Sequence, residues 1–258
     1  MDGNRLVGIG PYLVAIAINF IVPSWHHHIF AQPLSPQKSL SVDNPLEIYR
    51  LCESATVRIV KPDSAGSGVI IDRRDNVYSV LTNWHVVNSS NPTVLTVDGE
   101  RHNLVEAPRQ IADADLALLQ FYSETEYFVA KIEPQLPQVG DTVYVAGFPL
   151  VIDESNSLGW GNKAFRIAKG EISIVPVKSF PQGYQLGYTN NTQIGMSGSP
   201  IFNSEGFLIA IHGRGKYREP GFGAYIFADG SEPTPPQLEQ MIESSWGIPL
   251  GVYDELLQ

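Results

Sequence analysis

Three short segments of this sequence carry side chains that can combine as base, orienting acid and nucleophile. Leu81-Thr82-Asn83-Trp84-His85-Val86-Val87 reads as a strand ending at a histidine. Asp113-Ala114-Asp115-Leu116-Ala117-Leu118-Leu119 puts an aspartate at the entrance of an apolar strand. Gly195-Met196-Ser197-Gly198-Ser199-Pro200 holds a serine in a glycine-bracketed turn. A serine hydroxyl is a weak nucleophile at neutral pH and needs a base beside it. A neutral imidazole can take its proton and later give it to a leaving amine. A buried carboxylate fixes the imidazole tautomer and stabilises the imidazolium as it forms. Glycine at 195 lets the backbone bend so that the amides of Gly195 and Ser197 converge on a developing oxyanion, where one donor is worth ~10²–10³ in rate.

His85 and Asp115 lie 30 residues apart and Ser197 follows 82 residues later, so the elements around them must bring distant segments together. From Ala55 onward the chain consists of short runs rich in Val, Ile, Tyr and Thr, bounded by Gly, Pro, Asp or Asn. The runs at 55–60, 66–71, 77–82, 93–97 and 116–121 form one set. Those at 142–147, 164–175, 184–188, 207–212 and 223–227 form a second. No long stretch between them has helical periodicity, which argues against alternating strand–helix units. The two sets divide near 123–138, predicting two β-barrels over about 54–125 and about 138–250, with His85 and Asp115 in the first and Ser197 in the second. Thr234-Pro235-Pro236, followed by apolar Leu238, Met241 and Ile242, predicts one C-terminal helix.

Composition narrows the function classes. The chain has 258 residues, a net charge of -10 and 17% charged residues, so a phosphate backbone would be repelled and nucleic acid is not an expected partner. Its lone cysteine, Cys52, forbids an intrachain disulfide and reads as a small buried hydrophobe. Arg5 precedes an apolar run over 6–22, and Ile29-Phe30-Ala31 supplies a small-residue cleavage site. Residues 1–31 therefore read as a signal peptide, with retention as a membrane anchor through 6–22 the alternative. Residues 32–45 read as a polar Pro/Ser-rich linker or pro-segment. The expected location is outside the cytoplasm, in a periplasm or the medium. His102 reads as a surface histidine, and the glycines around Ser67 as a turn into a strand.

The three motifs together resemble the chymotrypsin/trypsin superfamily, and specifically its bacterial branch that includes the glutamyl (V8-like) endopeptidases. GMSGSPIF with the downstream IAIHGRG over 209–215 is the most specific part, and the resemblance runs from about Ala55 to Gly251. It implies an all-β fold of two six-stranded antiparallel barrels with a short C-terminal helix, in a peptidase domain over 46–253. It also implies peptide-bond hydrolysis through an acyl-enzyme, with His85 as general base, Asp115 as its orienter and Ser197 as nucleophile. Asp115, not Asp113, abuts the apolar strand as the family pattern requires. Neither metal nor cofactor is implied, and the implied partners are polypeptide substrates. The family's specificity pocket falls on Asn191, Thr192, His212, Gly213 and Gly215. Asn191 cannot neutralise a cationic side chain, whereas Thr192 and His212 match positions that grip an acidic one, the histidine by hydrogen bond or by charge. This favours Glu or another polar residue before the cut, against a pocket in which His212 is structural and the bound side chain is medium-sized. Met196 stands where animal trypsins have the aspartate that captures a new N-terminus, so activation by that route is not expected. The competing class is a catalytically silent relative that uses the same cleft to bind peptides or proteins.

Overall fold

The computed structural model describes residues 45–62, 64–88, 91–152, 158–159, 165–216 and 224–253. The expected signal segment and nearly all of the expected linker lie outside the described residues. The first described element is a helix, α1 (Pro45–Ala55), at the start of the domain expected over 46–253, where the sequence reading placed no element. Ile48, Leu51, Cys52 and Ala55 are buried on one of its faces, the i, i+3, i+4, i+7 spacing of an amphipathic helix. Cys52 is buried within it, and burial pushes its thiol up to about 12.

The first set of runs forms one antiparallel sheet of β1 (Thr56–Val60), β2 (Ala65–Arg74), β3 (Val77–Thr82), β4 (Thr93–Leu95), β5 (Arg101–Asn103), β6 (Arg109–Gln110) and β7 (Ala117–Tyr122). Its order is β5-β4-β1-β2-β3-β7-β6. The expected six-stranded barrel is thus a seven-stranded half-barrel. Its two ends approach through a Leu104–Phe121 bridge and the Val105 N–H to Gln120 O bond of 2.9 Å. Pro108, which has no N–H to donate, then interrupts the edge. The second set does close into a six-stranded barrel. It comprises β8 (Thr142–Gly147), β11 (Arg166–Ile174), β12 (Leu186–Tyr188), β13 (Pro200–Asn203), β14 (Leu208–Arg214) and β15 (Ser245–Pro249). Between β8 and β11, β9 (Val151–Ile152) and β10 (Leu158–Gly159) form a separate ribbon.

Two short helices complete the fold. α2 (Trp84–Val87) is a single turn after β3, and α3 (Pro235–Ile242) begins at the predicted Thr-Pro-Pro signal. Gln237 Oε1 accepts the Thr234 N–H at 3.0 Å, and buried Met241 anchors the helix. The 223–227 run is not a strand among its described residues. Ala224 and Tyr225 lie in a turn, although Tyr225 and Phe227 are buried. The barrel closes instead through β15, whose five residues are all buried and whose glycine and proline disguise it as a loop in sequence.

The connector between the sheets pairs with both. The Ala130 N–H donates to Ile70 O on β2 (2.9 Å), and the Leu208 N–H at the start of β14 donates to Lys131 O (2.8 Å). Both sheets belong to one compact unit.

Candidate active site

His85 sits on α2 and not at the end of the strand: β3 stops at Thr82. Val86 and Val87 are buried beneath the turn, which leaves the His85 side chain 45% exposed. Asp115 lies at the mouth of β7 with its side chain only 3% exposed. Asp113 is exposed in the preceding turn. The Asp115 carboxylate holds the histidine twice. Oδ2 lies 2.6 Å from His85 Nδ1, and Oδ1 accepts the His85 backbone N–H at 2.8 Å. Tyr184 Oη also donates to Oδ2, at 2.5 Å. Burial alone would push this carboxyl up, but the hydrogen bonds from His85 and Tyr184 and the adjacent imidazole outweigh it and hold the group below the usual carboxylate range.

Ser197 reaches the same place from the second barrel. The residues around Ser67 do not form a turn; they lie inside β2 and make the seat on which the serine loop rests. The Ser67 N–H donates to Ser197 O (2.8 Å), Phe148 N–H donates to Ser67 Oγ (2.9 Å), and Thr82 Oγ1 donates to Ser67 O (2.6 Å). Gly198, at φ +84, lies so close to Ser67 O and Thr82 Oγ1 that a Cβ would overlap both. Asn83 joins the two halves of the site. Its Nδ2 donates to Asp115 O (2.9 Å), and its Oδ1 accepts the Gly198 N–H (2.7 Å).

Within the loop, Met196 N–H donates to Gln193 O, Gly198 N–H also donates to His212 O, and Ser199 N–H donates to Met196 O. Among the described residues the N–H groups of Gly195 and Ser197 donate to nothing. The Leu150 N–H donates to Ile194 O at 2.7 Å. A trans peptide points its C=O and N–H in opposite directions, so this bond turns the Gly195 N–H away from the 148–150 segment. Met196 is buried in the second barrel's core, so packing holds this loop without the captured N-terminus of animal trypsins. No hydrogen bond joins Ser197 Oγ to His85 among the described residues; contacts of this kind commonly tighten only when substrate enters.

The residues matched to a specificity pocket surround the end of β14. Gly215 faces Thr192, Thr192 Oγ1 lies 3.4 Å from Ser245 Oγ, and Lys216 Nζ donates to Asn191 Oδ1 at 3.2 Å. His212 is buried, and its Nδ1 pairs with Tyr188 Oη at 2.5 Å. Burial, with a smaller push from His85, lowers the imidazole to about 3. His212 is therefore neutral near pH 7, and it can offer a hydrogen bond but not a charge. Gly213 lies against the Tyr184 ring. His102, read from the sequence as a surface histidine, is half-buried with its ring tilted against Phe121, centroids 4.6 Å apart. Among the described residues no three or more His, Cys, Asp or Glu side chains cluster as a metal site would need, and no helix is long and apolar enough to cross a membrane.

Sequence reasoning missed three contributors: Tyr184, Asn83 and Ser67. Asn83 stood inside the His85 motif and Ser67 between two glycines at the start of a strand run, and a polar side chain beside each apolar run was the available signal; Tyr184 carried none.

The fold agrees with solved structures. A serine endoprotease from Yersinia pestis superposes with a TM-score of 0.56 at 21% identity, covering 86% of this chain and 67% of that one. Rv3671c from M. tuberculosis, in an inactive mutant form, superposes with a TM-score of 0.57 at 18% identity, covering 87% and 94%. At such identities the likeness is one of fold. No curated protein matches the sequence. The model of the trypsin-like peptidase domain matches residues 66–211, a span that begins at the seat of the serine loop, takes in all three motifs and ends in β14. The chain belongs to the trypsin-like peptidase family.

Proposed function

We propose that this protein is an exported serine endopeptidase that cleaves peptide bonds through an acyl-enzyme, with Ser197 as nucleophile, His85 as general base and Asp115 as its orienter. The observation that carries the reading is the pair of N–H groups on Gly195 and Ser197 that donate to nothing among the described residues, on a loop that Asn83 ties to Asp115, whose buried carboxylate holds His85 Nδ1. With Nδ1 donating to Asp115, Nε2 carries the lone pair that accepts the Ser197 proton. As Ser197 Oγ attacks the substrate carbonyl carbon, the carbonyl oxygen gains charge and meets the two N–H groups. His85 returns the proton to the amine as the C–N bond breaks. Water then repeats the sequence on the ester and releases the acid. No metal or cofactor enters these steps.

For the residue before the cut, the reading is a preference for Glu or another polar side chain, as in the glutamyl endopeptidases. Its support is Thr192 Oγ1 and the Lys216 ammonium beside Asn191, with neutral His212 contributing packing or one hydrogen bond. Export rests on the apolar segment at 6–22 and the small residue Ala31 before Gln32.

The test is labelling of the purified protein, freed of residues 1–31, with a fluorophosphonate, followed by cleavage of matched Glu, Gln, Leu and Arg peptides. Wild type is expected to label, Ser197→Ala and His85→Ala to remain unlabelled, and the Glu peptide to be cut fastest. A folded wild type that does not label would leave the cleft as a binding site only. Faster cleavage after Arg would remove the acidic-side-chain preference alone.

A further inference from the structure

Tyr184 makes a contact that the three-residue mechanism leaves unused. Its phenol comes from the second barrel, just before β12, and is buried at the Asp115 carboxylate, where its Oη donates to the same oxygen, Oδ2, that faces His85 Nδ1. The segment around it is shaped for this approach. Phe180 N–H donates to Tyr184 O (2.7 Å), Gln182 adopts a left-handed φ of +68, and Gln182 O accepts the Asp115 backbone N–H at 3.0 Å. One turn therefore grips Asp115 by main chain and by side chain. The ring is fixed from above by Arg214, whose guanidinium carbon lies 3.9 Å from its centroid. On β14, Gly213 stands where any Cβ would overlap the phenol oxygen, so the backbone makes room for the hydroxyl.

We infer that Tyr184 is a positioning residue for the Asp115–His85 pair: its hydroxyl fixes the carboxylate so that Oδ2 lies in line with His85 Nδ1. This rests on the reading of His85 and Asp115 as base and orienter. The phenol remains a donor throughout the working range, because burial and the neighbouring carboxylate push it far above its ordinary value. Sharing Oδ2 between two donors has two effects. It restricts rotation of the carboxylate, and it draws off part of the negative charge that would otherwise stabilise the imidazolium.

Tyr184→Phe keeps the ring and its stack beneath Arg214 and removes only the donor. It is expected to lower kcat about tenfold with KM little changed, and to move the acid limb of the rate profile upward by about half a pH unit or more. The low-field resonance of the His85 Nδ1 proton, assigned against His85→Ala, is expected to shift. Should Tyr184→Phe fail to fold, Arg214→Ala, which loosens the ring, is expected to shift the limb and the resonance in the same sense by a smaller amount. An unchanged acid limb and resonance, with any rate loss tracking a lower melting temperature, would overturn the inference. If wild type neither labels nor cleaves, the enzymatic reading fails while the proton resonance still decides this one: a shift in the variant supports positioning, and no shift overturns it.

Discussion

Asp115→Asn is expected to lower kcat by ~10³–10⁴ while leaving the fold intact. The carboxylate accepts all three of its hydrogen bonds, from His85 N, His85 Nδ1 and Tyr184 Oη. An amide of the same shape has only one accepting oxygen. If that oxygen keeps the backbone N–H, the NH₂ group faces Nδ1 and makes it an acceptor. The ring proton then moves to Nε2, which can no longer take the Ser197 proton. Turning the amide over restores Nδ1 but points the NH₂ at the backbone N–H, leaving two donors face to face in a buried site. Either way the competent tautomer is disfavoured. The measurement is kcat on the best peptide of the panel, with the fluorophosphonate labelling rate as a check on the first step. A variant within a few-fold of wild type would show that another group orients the imidazole. The acid side carries a second signature. Because the Asp115 carboxyl is held below its ordinary range, its contribution to stability is complete above that range and is lost as pH falls through its own lower value. The Asn variant lacks that loss, so its stability should be flatter with pH in acid.

Gly195→Ala is expected to cost about 10²–10³ in kcat with little change in KM. At φ +92 this residue occupies the left-handed region, where a side chain costs about 1–2 kcal/mol. A Cβ would also stand 2.6 Å from Leu150 N and 2.9 Å from Phe148 O. The cheapest escape is rotation of the 194–195 peptide, which breaks the bond from Leu150 N–H to Ile194 O and swings the Gly195 N–H out of the cleft. The loss then falls on the transition state, because the ground-state carbonyl gains little from that donor. Cleavage kinetics check this directly, and near wild-type rates in the Ala variant would remove Gly195 from the oxyanion site.

Much of this arrangement could be read from the chain, for identifiable reasons. The His85, Asp115 and Ser197 motifs were legible because each joins a reactive side chain to a strongly patterned neighbour: a β-branched run, an apolar strand or a glycine turn. α3 was legible from its Thr-Pro-Pro start. α1 was equally periodic in Ile48, Leu51, Cys52 and Ala55, but the sequence reading began its elements only at Ala55, because the polar stretch just before the helix drew attention away from so short a pattern. β15 was illegible because Trp246-Gly247-Ile248-Pro249 has the composition of a turn, and only its neighbours β12 and β14 make it a strand. Closure of the first sheet could not be judged either, since it depends on pairing at edges two or three residues long. The sequence offers no sign that Tyr184 meets Asp115, 69 positions away, because nothing local distinguishes a phenol aimed at a carboxylate from one buried in a core.

The connector stitched to Ile70 on one side and Leu208 on the other has a thermal consequence. β2 carries the seat of the serine loop, and β14 supplies the His212 carbonyl beneath Gly198. The strands bridged by the connector are thus the same ones that frame the cleft. Melting either half strips hydrogen bonds from the other, so the halves should not unfold in succession. A single calorimetric peak, with calorimetric and van't Hoff enthalpies equal, is expected, and two resolved peaks would refute it. Heat would then abolish catalysis and architecture in the same few degrees, leaving no range in which one half persists as a folded remnant.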